Sequence, residues 1–173
     1  MRVYLDNVAA SGRVLGDLQP SSEMKAMEEI EQAHSVGRIK RVTSRESWRE
    51  QDRTRDSTKH AKLAAARDEV SVVANDHIVL SSGNIGDLRG AGVAQPFVSD
   101  VVDKTLFDDL KRIGLSDADA RHFMYASVNA CERFVTLDPD FLDRRKALET
   151  RCPNIRVVKP SELATEIRTA PER

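Results

Sequence analysis

"FVTLDPDF", residues 134–141, is the stretch on which the fold turns. Phe134, Val135, Thr136 and Leu137 form a short run of apolar and β-branched residues, the pattern of a buried strand. Pro139 has no amide proton to give to a sheet ladder, so the strand is expected to end at about Asp138. Asp138 and Asp140 then stand together at the end of a buried strand. Asp is a common turn former, and its carboxylate is also a ligand for hard cations. The sequence on either side weighs between the two.

Outward from this run, helix and strand patterns alternate. Residues 116 to about 131 read as a helix leading into it, and residues 155–158 as a last strand, followed by a helix at 161–168 that starts at Pro160 and Ser161. Val3, Tyr4 and Leu5 form an opening strand that ends in Asp6. Met24, Met27, Ile30 and Ala33 make an apolar stripe on a helix from 21 to about 36, stopped by Gly37. Residues 39–43 suggest a second strand. Ser44 then caps a long helical stretch reaching about 73, with a break near Asp56 and Ser57. Residues 77–80 read as a short strand, the glycine-rich 81–92 as loop, and 103–113 as a helix stopped by Gly114. No hairpin signal separates the strands. The order predicts a single domain over 1–173, an α/β three-layer α/β/α sandwich with a central, mostly parallel sheet and an insertion at about 76–114.

Composition sets bounds on this fold. The chain has 173 residues, 40% hydrophobic and 32% charged, with a net charge of −1, which suits one globular core. No apolar run is long enough to span a bilayer, and the first residues lack the apolar stretch of a secretion signal, so a cytoplasmic protein without membrane partners is expected. Cys131 and Cys152 lack the spacing of a zinc or redox motif.

In parallel sheets, ligands bind beyond the C-terminal ends of the strands, where the strand order reverses. Asp6 and Asp138 end strands there. Asp119 sits in the first turn of the helix that leads into residues 134–137, and Glu50 lies within two turns of Ser44, so four carboxylates can converge on one edge. Asp119 is also three residues after Ser116, the spacing of a capping box, and Glu50 can pair with Arg49 or Arg53 on a solvated face. A carboxylate closing a buried strand, as Asp6 does, is costly unless paired or bound to a cation. Clustered carboxylates repel, and Mg²⁺ or Mn²⁺ would resolve that repulsion.

In this arrangement the chain resembles the PIN-domain ribonucleases. "VYLDNVAASG" resembles the family's opening strand with its first acid, Asp6. "VTSRESWRE" resembles the second segment, with Glu50 as its acid and Glu46 as a rival. "LSDADARHFMYASV" is similar to the third, with Asp119 as ligand and Asp117 as a rival. "FVTLDPDF" resembles the fourth, with Thr136, Asp138 and Asp140, and "VVKPSEL" is similar to the last strand and helix. The resemblance implies a nuclease hydrolysing RNA phosphodiesters with Mg²⁺ or Mn²⁺. Asp6, Glu50, Asp119 and Asp138 would hold the cation, Asp140 would assist, and Thr136 would hydrogen-bond within the site. It also implies RNA as partner. In toxin-type members the partners are a cognate antitoxin or other protein inhibitor, and a second copy in a homodimer.

Residues 38–67 carry ten Lys or Arg against four acids, and Arg45, Arg49 and Arg53 recur at helical spacing beside Glu50. Such a rim suits a phosphate backbone, and it also suits a solvated helix face. A dehalogenase-like phosphatase would need an acid at position 8, where Val8 stands. A catalytically silent module of the same fold, binding RNA or a protein, would have no need of the four acids. His122 shares a helix face with Asp119 and is expected to be a hydrogen-bonded structural histidine.

Overall fold

The computed structural model describes residues 1–69, 71–73 and 101–170. The strands are β1 (Arg2–Leu5), β2 (Lys40–Thr43), β3 (Ser71–Val72), β4 (Arg133–Val135) and β5 (Arg156–Val158). The helices of the first half are α1 (Asn7–Leu15), α2 (Ser21–Ser35), α3 (Arg45–Asp52) and α4 (Ser57–Ala65), followed by a 3₁₀ turn at Ala66–Glu69. Those of the second half are α5 (Lys104–Ile113), α6 (Asp117–Val128), α7 (Pro139–Asp143), α8 (Arg145–Arg151) and α9 (Pro160–Thr169). All four strand pairings are parallel, in the order β3-β2-β1-β4-β5. The expected α/β architecture is present, and among the described residues the sheet is wholly parallel.

Strand alternation sorts the core into two layers. Tyr4, Val42, Phe134 and Val157 face one side and pack with Phe123, Phe141 and Leu148 from α6, α7 and α8. Val3, Leu5, Val135 and Val158 face the other and pack with Met27 and Ile30 of α2 and Leu163 of α9. Tyr4 lies opposite both Val42 and Phe134 in the ladder, and its ring stacks on Phe134 at 5.3 Å. Phe134 in turn meets Phe141 at 4.6 Å, so the aromatic run begun in β1 continues into α7.

Caps explain several of the boundaries. Asp56 accepts from the amides of Thr58 and Lys59, which restarts a helix after Arg53, so the long helical stretch is α3 and α4 rather than one rod. The strand at 71–72 closes that stretch and was not anticipated. Gly37 and Gly114 take positive φ just past α2 and α5, the conformation that favours glycine there.

β4 ends at Val135, earlier than expected. The Thr136 amide still reaches Val158 O at 3.1 Å, but Thr136 Oγ1 accepts from the Asp138 amide and coils the chain before Pro139. Pro139 then opens α7, where its missing proton costs nothing. The sequence patterns also missed α1, whose Asn7, Ser11 and Gly12 blur its apolar stripe, and α8, which is short and charged. The strand expected at 77–80 and the loop at 81–92 lie outside the described residues. Within the segment read as an insertion, α5 places Leu106 and Leu110 in the same core as α6. Among the described residues no helix is long and apolar enough to cross a membrane.

α1 is seated on Leu18 through Gly12. A Cβ at that position would lie 2.4 Å from Leu18 Cδ2 and 2.9 Å from Cγ. Alanine favours a helix over glycine by about 1 kcal/mol, whereas overpacking costs about 1–3 kcal/mol. Gly12→Ala is therefore expected to lower the urea midpoint with an unchanged m-value; a raised midpoint would show that Leu18 yields freely.

Candidate functional site: a buried carboxylate at the sheet crossover

β1 has β2 on one side and β4 on the other, so the strand order reverses at β1/β4. Asp6 follows β1 and Thr136 follows β4, which puts both at the crevice that this reversal opens. The Asp6 amide donates to Val135 O at 3.0 Å, so ladder pairing extends one residue beyond the strand. Asp6 is 3% exposed. It occupies the N-cap position of α1, yet its side chain does not cap that helix. Oδ2 accepts instead from Thr136 Oγ1 at 2.8 Å. Thr136 is itself buried and thereby ties Asp6 to the Asp138 amide, 2.9 Å from Oγ1.

Burial pushes the Asp6 pKa from 3.8 up to about 6; His122, Thr136 and the Asn7 amide pull it down, and Glu50 adds to the rise. His122 is fully buried on α6. Its Nδ1 lies 2.7 Å from Tyr4 Oη, which donates to Ser44 Oγ at 2.6 Å. With the Tyr4 proton committed to Ser44, His122 Nδ1 carries its own proton and donates it to Tyr4. His122 Nε2 stands 3.3 Å from Glu50 Oε2, an ion-pair distance without the directed geometry of a hydrogen bond. Burial lowers the His122 pKa, but Glu50, Asp6 and Glu46 outweigh it and raise it overall. Burial also drives the Tyr4 phenol well above its usual range, so it remains a neutral donor.

Of the residues expected to form a site, Asp6 and Glu50 act on His122, with Thr136 joined through Asp6 and Asp138 through its amide. Glu46, the rival of Glu50, is buried and pairs with Arg49 at 3.3 Å. Asp119 is engaged by the α6 cap, Ser116: its amide donates to Ser116 Oγ at 3.2 Å, and that hydroxyl donates to Asp119 Oδ2 at 2.5 Å. Its rival Asp117 pairs with Lys111 at 2.6 Å. Asp138 caps α7 by accepting from the Asp140 amide at 2.8 Å, and Asp140 pairs with Arg144 at 2.9 Å. Among the described residues no three His, Cys, Asp or Glu side chains are grouped to hold a metal ion.

Arg45, Arg49 and Arg53 are exposed, and Arg53 is the C-cap residue of α3, in helical conformation with its amide donating to Glu50 O at 3.1 Å. Much of the rest of the basic stretch is structural: Arg38 donates to Ile167 O, Arg41 pairs with Glu31 and Arg67 with Asp52. The sequence left His122 outside the catalytic set and gave Tyr4 and Ser44 only structural roles. Its one signal was the three-residue spacing of His122 from Asp119. No protein-family model, curated protein or solved structure matches the chain.

The buried acid makes stability depend on pH. The Asp6 pKa is higher in the fold than in the unfolded chain, so its stabilising contribution is complete below pH 3.8 and is lost as pH rises through about 6. A rise of that size corresponds to roughly 3 kcal/mol. The raised His122 pKa acts in the same direction and is itself partly raised by Asp6, so the difference between wild type and Asp6→Asn reports the acid together with its coupling to His122. In a chelator at pH 7.5 the Asn variant is expected to melt above wild type, and the gap should close as pH falls toward 4. A variant that melts lower at both pH values would make Asp6 a purely structural turn residue.

Proposed function

We propose that the chain is a divalent-metal-dependent ribonuclease that hydrolyses RNA phosphodiester bonds at the crevice beside Asp6, as its resemblance to PIN-domain ribonucleases implies. One observation carries this: a carboxylate 3% exposed and destabilised as an anion, chiefly by burial, lies at the sheet crossover within reach of the charge of Glu50. Mg²⁺ is commonly held by one or two carboxylates and keeps several waters, so the Asp6–Glu50 pair fits it without a third protein ligand. Asp6 and Glu50 would hold the ion, and Asp138, Asp119 and Asp140 would join only by leaving the Asp140 amide, Ser116 and Arg144. Bound there, Mg²⁺ or Mn²⁺ would neutralise phosphate charge and acidify water.

The chain's own residues prepare this site. Thr136 fixes one oxygen of Asp6. His122, held by Tyr4, lies against Glu50 and restrains it, and its complete burial keeps it off the substrate. The exposed row of Arg45, Arg49 and Arg53 would offer charge to the backbone of RNA. A second reading has its own support: Asp119 and Asp140 are engaged elsewhere, as in a silent module of this fold that binds RNA or a protein partner such as an antitoxin.

Cleavage of a labelled RNA in Mg²⁺, Mn²⁺ and EDTA separates the two. Cleavage is expected with either metal and not in EDTA. Asp6→Asn should lower it at least about 100-fold, because loss of even an outer-shell partner of a metal ligand costs 10–100-fold. RNA binding with no cleavage in any metal would leave the silent module.

A further inference from the structure

A cleft of about 50 Å³ opens on the sheet face that carries α1 and α2, beside β2. Leu5, Met27, Leu63 and Trp48 give it apolar walls, and Arg13, Arg41, Arg67 and Glu31 line it with charge. Arg41 is the unusual member. Strand alternation sends it to the same side as Ile39, into the core layer, where it is 7% exposed.

Glu31 answers Arg41 through Oε1 at 3.1 Å, but its Oε2 is taken by Arg13 at 2.5 Å. Two guanidiniums therefore share one carboxylate. Nε of Arg13 and Nε of Arg41 are both buried, and neither has a hydrogen-bond partner among the described residues. Arg67 does not add to the imbalance. It is satisfied by Gln51 Oε1, Trp48 O and Asp52 Oδ1, and it lies 5.8 Å from the centre of the Trp48 ring. One positive charge in excess of the shared carboxylate and two buried Nε–H donors without partners among the described residues remain at the cleft. A charge in that position is costly unless an anion meets it.

We propose that this cleft binds the head group of a phosphate monoester, with Arg13 and Arg41 as the binding residues and Glu31 limiting the charge. Guanidinium forks match phosphate oxygens, and two of them around one head group are a common solution. Size sets the limit: a water needs roughly 10–15 Å³ on this measure, so the cleft admits a group of a few heavy atoms and leaves the rest of the ligand outside. Its position links it to the crevice. Gln51 accepts from Arg67 and donates to Asn7 Oδ1 at 3.2 Å, and Asn7 directly follows Asp6. The choice of phosphate rests on the ribonuclease reading; the cleft and its charge do not. The ester would come from a strand end or from a free nucleotide.

Trp48 is the only tryptophan, so its emission reports this cleft directly. In EDTA, where no cleavage is expected, wild type is titrated with inorganic phosphate, adenosine monophosphate, acetate, and one oligonucleotide with a 5′-phosphate or a 5′-hydroxyl. A saturable change is expected with the phosphates, and roughly tenfold weaker or absent binding for the 5′-hydroxyl strand, the loss of a charge-assisted contact. Arg13→Gln, at a partly exposed position, should weaken phosphate by a similar factor. Glu31→Gln should tighten it, because the competing carboxylate is gone. Opposite signs from these two variants support the proposal. An unsaturable or absent response, equal binding of acetate, or unchanged binding in Arg13→Gln would overturn it. Binding of the mononucleotide but not of the 5′-phosphorylated strand assigns the cleft to a free ester and overturns the strand end. Cleavage of RNA with no Trp48 response overturns this cleft alone, and a Trp48 response without cleavage in any metal overturns the ribonuclease reading alone.

Discussion

β1 is hydrogen-bonded on both sides, and the chemistry of the crevice depends on that constraint. A central strand cannot end in bulk water when its neighbours run beside it and helices cover both faces. The residue after β1 is thus desolvated, and in this chain that residue is an acid. Neighbours β2 and β4 belong to opposite halves of the sheet, so the connections that leave their ends diverge and open a crevice above Asp6. Thr136 and His122 then become necessary: one gives the carboxylate a hydrogen bond, the other a compensating charge. Tyr4 and Ser44 exist in this network to hold the imidazole, which is why a phenol is buried among the aromatic rings.

Helix α3 separates two regions of opposite character. Glu46 and Glu50, four residues apart, lie on its acidic side, and Glu50 approaches His122. Trp48 and Gln51, three residues apart, line the arginine cleft on its other side. A helix of eight residues thus carries negative charge toward the sheet crossover and borders positive charge behind it. An extended polyanion that neutralised the second would bring its backbone beside the first.

The main topology was legible because apolar runs and glycine stops carry it: β1, α2, β2, α5, α6, β5 and α9 were readable from Val3-Leu5, the Met27–Ile30 stripe, Gly37, Gly114 and Pro160. The placement of Asp6 was legible for the same reason, since a strand's end is fixed once the strand is. α1 and α7 were not, because they are held by one close contact on Leu18 and by the Asp138 cap rather than by periodicity. The fate of the acids was the least legible part. Asp119, Asp138 and Asp140 each satisfy a local partner within four residues, and spacing alone does not say whether an acid faces its own helix or a shared pocket. His122 was read as structural because its partners, Tyr4 and Glu50, are distant in sequence.

The pairing of β1 with β4 has a consequence in time. Asp6 and Thr136 are 130 residues apart, and Glu23 of α2 waits even longer for the Ser161 amide and hydroxyl that it accepts from, 138 residues on. On a ribosome adding roughly 5–20 residues per second, β1 stays open along one edge for about 6–26 s after it is made. For that interval the nascent chain presents an unpaired parallel edge flanked by Val3, Tyr4 and Leu5, the kind of surface that other chains extend. The carboxylate at its tip is then still hydrated and charged, so the same Asp6 that strains the finished fold sets a charge against pairing at the open edge of the unfinished one.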